Sequence, residues 1–541
     1  MQRLALVASL FLIAAAPFHW FDSDDDYFAI RKNFEIFGSI YEDLVLEYVD
    51  EVDAERLMRA GIEAMLKELD PYTVFFDEAT NEQIDIAVRG KTGSPGISVG
   101  SISGNIVVLA PENAAGGYKQ GIRTGDVIIS IDGTSLESLT SADARNMLYG
   151  EPGSVVEVIV QRSGAEDLIP FTLLRERVRY NSVSYAGSIE NESRESTAYI
   201  KLARFGKGAS TEVRNALDSL VSPTTNGVIL DLRDNPGGLL GEAVGIVSLF
   251  VPSGTPVVST IGRTTQTDQL YKSSGRPLYE GKLIVLINEI SASASEIVAG
   301  ALQDHDRAVV MGTRSFGKGL VQVIKELPFN TSLKITTSRY YIPSGRSIQN
   351  VLARTASTRD VPRHLMREFK TDGGRIVFDG AGIEPDINAG NENEAEVVQA
   401  LKRRSAFFEF ANHYRDTGAT ADESFTVTDS LFLQFQDWLE DRNFVFETNA
   451  ERQLKNVRLA FEAGDYSTST LDEVEERLVS EKRIEVQRRE AQIKPYLYRE
   501  ILGRYLDDRT YTRTTTNSDE LVLQSLSLAT DPERFSQILA Q

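Results

Sequence analysis

The sequence predicts a multidomain α+β protein: an N-terminal helical segment, a small strand-rich domain, an α/β core and a helical C-terminal extension. Three observations carry this. A chain of 541 residues is longer than one hydrophobic core fills. The hydrophobic period changes along the chain, from helical spacing, to short Gly-punctuated runs, to strands alternating with helices, and back to helical spacing. The apolar fraction of 41% and charged fraction of 25% are those of an ordinary soluble globular protein, so these periods describe packed elements.

The formal charge of −22 excludes a nucleic-acid partner, because phosphate backbones need a basic surface, and disfavours an anionic membrane surface. The chain has no cysteine, which rules out disulfides, lipid-modified cysteines and thiolate zinc sites. No motif implies a metal or cofactor. Residues 1–20 have the layout of a secretory signal peptide: Arg3, an apolar run from Leu4 to Ala16, and small residues at Ala14-Ala15-Ala16. The expected location is the bacterial periplasm or the cell exterior. The other reading of this segment is an uncleaved anchor holding the protein to the inner membrane.

Residues 21–77 form the helical segment. Asp22-Ser23-Asp24-Asp25-Asp26 reads as an acidic linker. Phe34, Phe37, Tyr41, Leu44 and Tyr48, then Leu57, Ile62, Met65, Leu66 and Leu69, recur at helical spacing and give two amphipathic helices, the second closed by Asp70-Pro71. Residues 78–178 change to strands, at Ile106–Leu109, Val127–Ile131 and Val155–Val160, with a turn at Asp132-Gly133 and a short helix over Ser141–Tyr149.

Residues 179–390 alternate strands and helices, as α/β layers do. The strand Val228–Leu232 meets a Gly-rich loop, Arg233-Asp234-Asn235-Pro236-Gly237-Gly238, and then a helix from Leu239 to Phe250. The apolar strand Leu283–Ile287 leads through Asn288–Ser293 into a helix ending near Gln303. A strand at Ala308–Met311, a loop from Gly312 to Gly319 and a strand at Leu320–Leu327 follow. Residues 391–541 are charged and helical, and Leu471–Leu506, dense in Glu, Arg and Lys, reads as solvent-facing.

Several residues could carry chemistry. Ser293 stands where a strand hands over to a helix, with a helix N-terminus beside it, a position that suits a nucleophile. Ser293-x-x-Glu296 also has the form of a capping box, so a simple N-cap is the competing reading. A nucleophilic serine needs a base. Of the four histidines, His305 adjoins charged residues and reads as a surface group, and nothing in the spacing sets up a Ser-His-Asp triad. A lysine can serve if burial populates its neutral amine. Lys318, between Gly317 and Gly319, is the candidate. Gln322, four positions on, would share its face along an extended chain and could hold the amine, or could be a polar sheet-edge residue. Gly312-x-x-x-x-Gly317-Lys318 also approaches a phosphate-binding loop, but Gly319 replaces the metal-binding hydroxyl and a strand follows instead of a helix. The Pro236-Gly237-Gly238 turn, with the Ala294 N–H, could form an oxyanion hole, or be only a turn.

In order and combination these segments resemble the C-terminal processing peptidases, or tail-specific proteases, over roughly residues 34–390. The matching elements include Leu69-Asp70-Pro71-Tyr72, Gly121–Ile128 with Ile131-Asp132-Gly133, and Leu230-Asp231-Leu232-Arg233-x-Asn235-Pro236-Gly237-Gly238. The two catalytic elements are Ser291–Glu296 and Phe316-Gly317-Lys318-Gly319-x-Val321-Gln322, and Tyr340–Gln349 and Gly382-Ile383-x-Pro385-Asp386 close the match.

The resemblance implies a PDZ domain over residues 78–178 and a ClpP/crotonase-like peptidase core over 179–390. It implies Ser293 as nucleophile, Lys318 as base, Gln322 as its orienting amide and Asp304 as a supporting acid. Gly237, Gly238 and Ala294 would form the oxyanion hole. The PDZ loop Gly96-Ile97-Ser98-Val99 would bind a substrate's C-terminus by strand addition. The Pro111–Tyr118 element departs from the family pattern, which clouds the side-chain preference. The implied partners are proteins with exposed C-terminal tails. Residues 391–541 match no family motif, and three roles stay open for them: to form a homodimer, to cap the core or to bind an adaptor. The rival reading is an inactive PDZ scaffold that gathers tails without cutting them.

Overall fold

A computed structural model of the protein describes residues 23–77, 93–111, 120–177, 181–190, 195–263, 268–350, 352, 361–389 and 394–540. The expected signal segment and most of the Pro111–Tyr118 element lie outside the described residues. The chain divides into two compact units, residues 1–75 and 76–541.

The first unit holds two helices, α1 (Ser23–Glu47) and α2 (Ala54–Lys67). Asp53 caps α2 by accepting from the Arg56 N–H at 3.0 Å. The Tyr41 hydroxyl donates to the Ala54 carbonyl at 2.8 Å and ties the two helices together. The acidic linker expected at residues 22–26 is corrected here: α1 already begins at Ser23.

The second unit opens with an antiparallel sheet in the order β1 (Ile97–Ile102), β2 (Asn105–Pro111), β3 (Val127–Ile131), β4 (Val155–Gln161), β5 (Ile169–Leu174). Helix α3 (Ser141–Leu148) starts with a reciprocal cap, in which Thr140 and Asp143 each accept the other's N–H, at 3.2 and 2.9 Å. The inward residues alternate at Ile97 and Val99 and at Val156, Val158 and Val160, as a half-buried sheet requires, and a register shift between Ile128 and Ser130 lets Ile128 and Ile131, three apart, both face inward.

The α/β core is built on β6 (Val183–Glu190), β7 (Ser196–Leu202), β8 (Thr225–Asp231), β9 (Pro256–Gly262), β10 (Leu283–Ile287), β11 (Val309–Gly312), β12 (Leu320–Leu327), β13 (Thr331–Tyr341) and β14 (Ile387–Asn388). Its main sheet runs β6-β7-β8-β10-β11-β14, antiparallel at the first pair and parallel thereafter. β12 and β13 form a hairpin, and β13 also pairs with β9.

The central strands are apolar on both faces because both are covered. Val228, Leu230, Leu283, Val285 and Ile287 pack against helices α4 (Ala209–Leu220), α5 (Leu240–Val247) and α6 (Ala294–Asp304). The alternate residues Ile229, Ile284, Leu286, Val309 and Met311 face the other way.

That second face is closed from the far end of the chain. Helices α7 (Glu396–Arg403), α8 (Ala406–Asp416), α9 (Asp429–Asp441) and α10 (Glu490–Leu502) share a separate core around Phe407, Phe410, Phe435 and Trp438. Helices α11 (Glu520–Thr530) and α12 (Pro532–Ala540) then lay Val522, Leu526, Ala529 and Phe535 on the sheet. Two expectations change. Leu471–Leu506 is not solvent-facing throughout: Ile493, Leu497 and Ile501, four apart on α10, are fully buried. And of the roles left open for the C-terminal region, the described structure shows the capping of the core.

A buried ion network anchors α11. The Asp231 carboxylate at the end of β8 accepts from the Tyr199 hydroxyl at 2.6 Å and from Arg233 Nη2 at 2.6 Å. Arg233 Nη1 reaches on to Asp519, at the start of α11, at 3.1 Å. Burial alone would push the Asp231 carboxyl up, but Arg233 overcomes this and holds it down at about 2.

Candidate active site

Ser293 sits at the N-cap of α6, directly after the β10 loop, with φ 56° and ψ −110°. This backbone is outside the ordinary helical and strand regions, and such strain is retained where the surroundings over-determine it. They do so here. Ser291 Oγ donates to the Leu232 carbonyl at 2.8 Å, Ser295 Oγ to the Asn235 carbonyl at 2.9 Å, and the Ala292 N–H to the same Asn235 carbonyl at 3.1 Å. The serine triple is therefore stitched to the loop that follows β8, and Ser293 is the member left half-buried while its neighbours are buried.

Glu296 lies fully buried one turn into α6, and its carboxylate joins the two candidate catalytic segments. Oε2 accepts the N–H of Ser293 at 2.7 Å and that of Lys318 at 2.9 Å. Oε1 accepts the Ser315 hydroxyl and the Gly317 N–H, each at 2.6 Å. Two nitrogens bound to one oxygen at these lengths lie within about 5.6 Å of each other, so the main chains of Ser293 and Lys318 are neighbours. Burial pushes the Glu296 carboxyl above its ordinary range, and the four donors offset only part of this. Sequence reasoning saw Glu296 only as a capping partner. Its longer-range ties to residues 315–318 have no signature in spacing.

Lys318 is half-buried on the loop before β12. Burial lowers its pKa first, the nearby positive charge of Lys334 lowers it further, and Glu296 opposes them. The segment following β13 holds the loop: Gln349 Oε1 accepts the Gly319 N–H at 3.0 Å, and the Asn350 N–H donates to the Gly317 carbonyl at 2.9 Å. A Cβ on Gly319 would come 2.5 Å from the Gln349 nitrogen, so only glycine permits this approach.

Asp304 closes the far end of α6. It accepts from buried Arg346 at 2.8 Å and from the Ser344 N–H at 2.9 Å. Eleven residues of helix place it about 16 Å from Ser293. Its link to the lysine loop runs through the Ser344–Asn350 segment. His305 follows at the same distant end, its ring nitrogens 2.7 Å from Asp372 Oδ2 and 2.7 Å from the Pro256 carbonyl. A His-Asp pair thus exists, but out of reach of Ser293.

Two expectations need revision. β12 begins at Leu320, and its register with β13 shifts between Val321 and Gln322. Strand alternation therefore does not run from Lys318 to Gln322, whose amide donates to Thr336 Oγ1 at 3.4 Å. On the glycine turn, the Gly237 N–H is engaged by Asn235 Oδ1 at 2.9 Å, which removes it as a ready oxyanion donor. Gly237 still sets the geometry: with φ 100°, a Cβ there would meet Ser293 Cβ at 2.9 Å and the Ala294 nitrogen at 3.0 Å. The Gly238 and Ala294 N–H groups have no acceptor among the described residues.

In the strand-rich domain, Gly96 turns at φ 72° with its N–H on Ser94 Oγ at 3.0 Å, and leads into β1. Ile97 and Val99 point into the core, and Ser98 lies between them. β1 is the edge of its sheet among the described residues, with α3 alongside. Arg145 on α3 reaches the Val99 carbonyl at 3.5 Å. The domain is docked on α8, whose Arg415 donates to the Thr124 carbonyl at 2.8 Å.

Among the described residues, no group of His, Cys, Asp and Glu is arranged to hold a metal ion. No helix among them is long and apolar enough to cross a membrane.

Comparison with known proteins agrees with this construction. Residues 196–357 match the model of peptidase family S41, residues 115–162 that of a PDZ domain, and residues 397–529 that described as "Probable PDZ-protease, C-terminal helical domain". A carboxy-terminal-processing protease of Bartonella bacilliformis is 35% identical over 325 residues, covering 59% of this chain and 73% of that protein. A carboxyl-terminal-processing protease of Synechocystis is 32% identical over 350 residues, covering 62% of this chain and 81% of that protein. With a buried-strand core, a serine at a strained strand-to-helix turn and relatives aligned over most of their length, the chain belongs to peptidase family S41, among the PDZ-containing carboxy-terminal-processing serine proteases.

Proposed function

We propose that Ser293 is the nucleophile and Lys318 the general base of a serine endopeptidase that cleaves proteins presented by their C-terminal tails. The observation that carries this reading is the shared Glu296 carboxylate, which holds the two main chains side by side. Neutral Lys318 takes the Ser293 proton, and Ser293 Oγ attacks the scissile carbonyl. The Gly238 and Ala294 N–H groups receive the oxyanion, with Gly237 fixing their spacing. The amine leaves with a proton from Lys318, and water releases the acyl group. For Gln322 to orient the lysine, its amide has to leave Thr336 Oγ1; Asp304 acts as a positioning residue through Arg346.

The edge of β1 takes the substrate tail as an added strand, with its terminal carboxylate at the Gly96 turn. An incoming strand has to displace Arg145 from the Val99 carbonyl. The apolar run Leu4–Ala16 supports export, which places the substrates in the periplasm or outside the cell.

The test is incubation of parent and Ser293→Ala with an unstructured protein ending in apolar residues. The parent should digest it, and the variant should lose at least about 10³-fold in rate. Equal digestion by both would remove Ser293 from the mechanism. Amidation of the substrate's C-terminus should raise KM with little change in kcat.

The pH dependence has a definite sign. Because only the neutral amine accepts a proton, the rate rises with pH as Lys318 deprotonates. Burial and Lys334 bring that limb below the ordinary lysine range. Lys334→Gln removes a repelling positive charge and favours protonated Lys318. The acid limb of kcat/KM should therefore move to higher pH, with the fold unchanged by circular dichroism. An acid limb that stays in place would count against Lys318 as the titrating base.

A further inference from the structure

The strand-rich domain and the helical C-terminal region enclose a cavity of about 520 Å³ between them. Ser101, Ile102 and Ser103, at the end of β1 and in the turn after it, form one wall. The C-terminal ends of α7 and α9 form the other and bring Arg403, Arg404 and Arg442 together. The Ser103 hydroxyl donates to Glu409 Oε1 on α8 at 3.3 Å and bridges the two walls.

The lining is positive. Among the described residues that form it, Glu409 is the one carboxylate, and Arg442 already holds its Oε2 at 3.0 Å. The Arg442 guanidinium also lies 4.5 Å from the centre of the Trp438 ring, and that of Arg404 lies 5.6 Å from the centre of the Phe444 ring. Neither Arg403 nor Arg404 has an acceptor for its guanidinium among the described residues. On a chain of net charge −22 this is a local reversal of sign. Cations at helix C-termini answer the helix dipole, but that role leaves their N–H groups free to bind. Trp438 adds a donor: it is 7% exposed, and its indole N–H has no acceptor. A wall rich in donors and poor in acceptors suits an anionic group.

We propose that this cavity is a subsite for substrate tails and takes an acidic side chain, Asp or Glu, about five to seven positions before the C-terminal residue. With the tail on the edge of β1 and its carboxylate at the Gly96 turn, the reading on which this rests, the upstream residues run toward Ile102. Both strands rise about 3.3 Å per residue, so pairing proceeds step for step. β1 runs from Ile97 to Ile102, so the tail residue about five before the last comes level with Ile102, and the next two pass Ser103. There they meet Arg403 and Arg404, whose planar forks of N–H donors match a carboxylate.

The test measures binding of fluorescent peptides to the full chain carrying Ser293→Ala, so that nothing is cut. All peptides share one apolar C-terminus. One has Glu at the fifth to seventh positions before the end, one has Gln there, and one has the same Glu residues moved further upstream, out of reach. The first should bind about tenfold more tightly than the other two, and the margin should shrink as salt is raised. Adding Arg403→Gln/Arg404→Gln should remove the margin while leaving the affinity of the Gln peptide and the melting temperature unchanged. Amidating the C-terminus should weaken all three peptides. If amidation weakens them but Glu and Gln bind alike, if the displaced Glu residues serve equally well, or if the double Gln variant keeps the margin, the subsite is overturned and the tail reading stands. If amidated and free peptides bind alike, the tail does not lie on β1, and both fall.

Discussion

Glu296→Gln should reduce proteolysis by at least about 10²-fold and also destabilise the core. The substitution keeps the shape of the side chain, so the effect is one of donors and acceptors. Each carboxylate oxygen now receives two donors, four in all. An amide replaces one oxygen with a group that can only donate, and whichever way it turns, two buried donors lose their acceptor. Each loss costs about 1–3 kcal/mol. If the NH2 faces Ser293 and Lys318, the two segments repel where they were joined. Even a displacement of about 1 Å costs on the order of 10²-fold in rate. The check is kcat/KM and thermal melting measured together, with Glu296→Asp for comparison. A Gln variant of full activity and stability would show that the shared carboxylate is dispensable.

Leu526→Ala should lower the melting temperature of the peptidase core, although residue 526 lies far along the chain from Ser293. Leu526 is buried on the β-sheet face opposite α6, among Ile229, Ile284 and Met311. Truncating a buried leucine costs about 2–5 kcal/mol, because the cavity closes only in part. A folded domain holds about 5–15 kcal/mol in total. The expected fall in Tm is about 5–20 °C, with activity lost over the same range. Leu523→Ala, on the exposed side of the same helix, should leave Tm nearly unchanged. Equal melting of the two variants would mean that α11 does not stabilise the core.

The sheet was legible where composition left one reading. Leu283–Ile287 is five apolar residues in a row, and it is a strand buried on both faces. The places of Ser293, at a strand-to-helix turn, and of Lys318, on a glycine loop before a strand, were legible because each stands in a Ser- or Gly-rich motif at an element boundary. The rest was hidden for physical reasons. Glu296 looks local in sequence, since its nearest acceptor role is three residues away, while its other donors arrive from a loop some twenty residues on. Lys334 acts on Lys318 across a hairpin whose register shifts, which spacing cannot reveal. Ile493, Leu497 and Ile501 stand among charged neighbours that mask a buried stripe. The acidic residues at 22–26 were misread because composition alone does not separate a linker from a helix start.

The closing of the sheet by α11 and α12 has a consequence for the order of events during synthesis. The ribosome delivers Ser293 and Lys318 long before Leu526 and Phe535, so the segments that hold them are made while the sheet is still half-open. One face of Ile229, Ile284 and Leu286 stays wet until the last helices emerge. The core sheet is therefore completed only when the helices at residues 520–540 are made, although the strands that bear Ile229, Ile284 and Met311 lie two hundred residues and more before them.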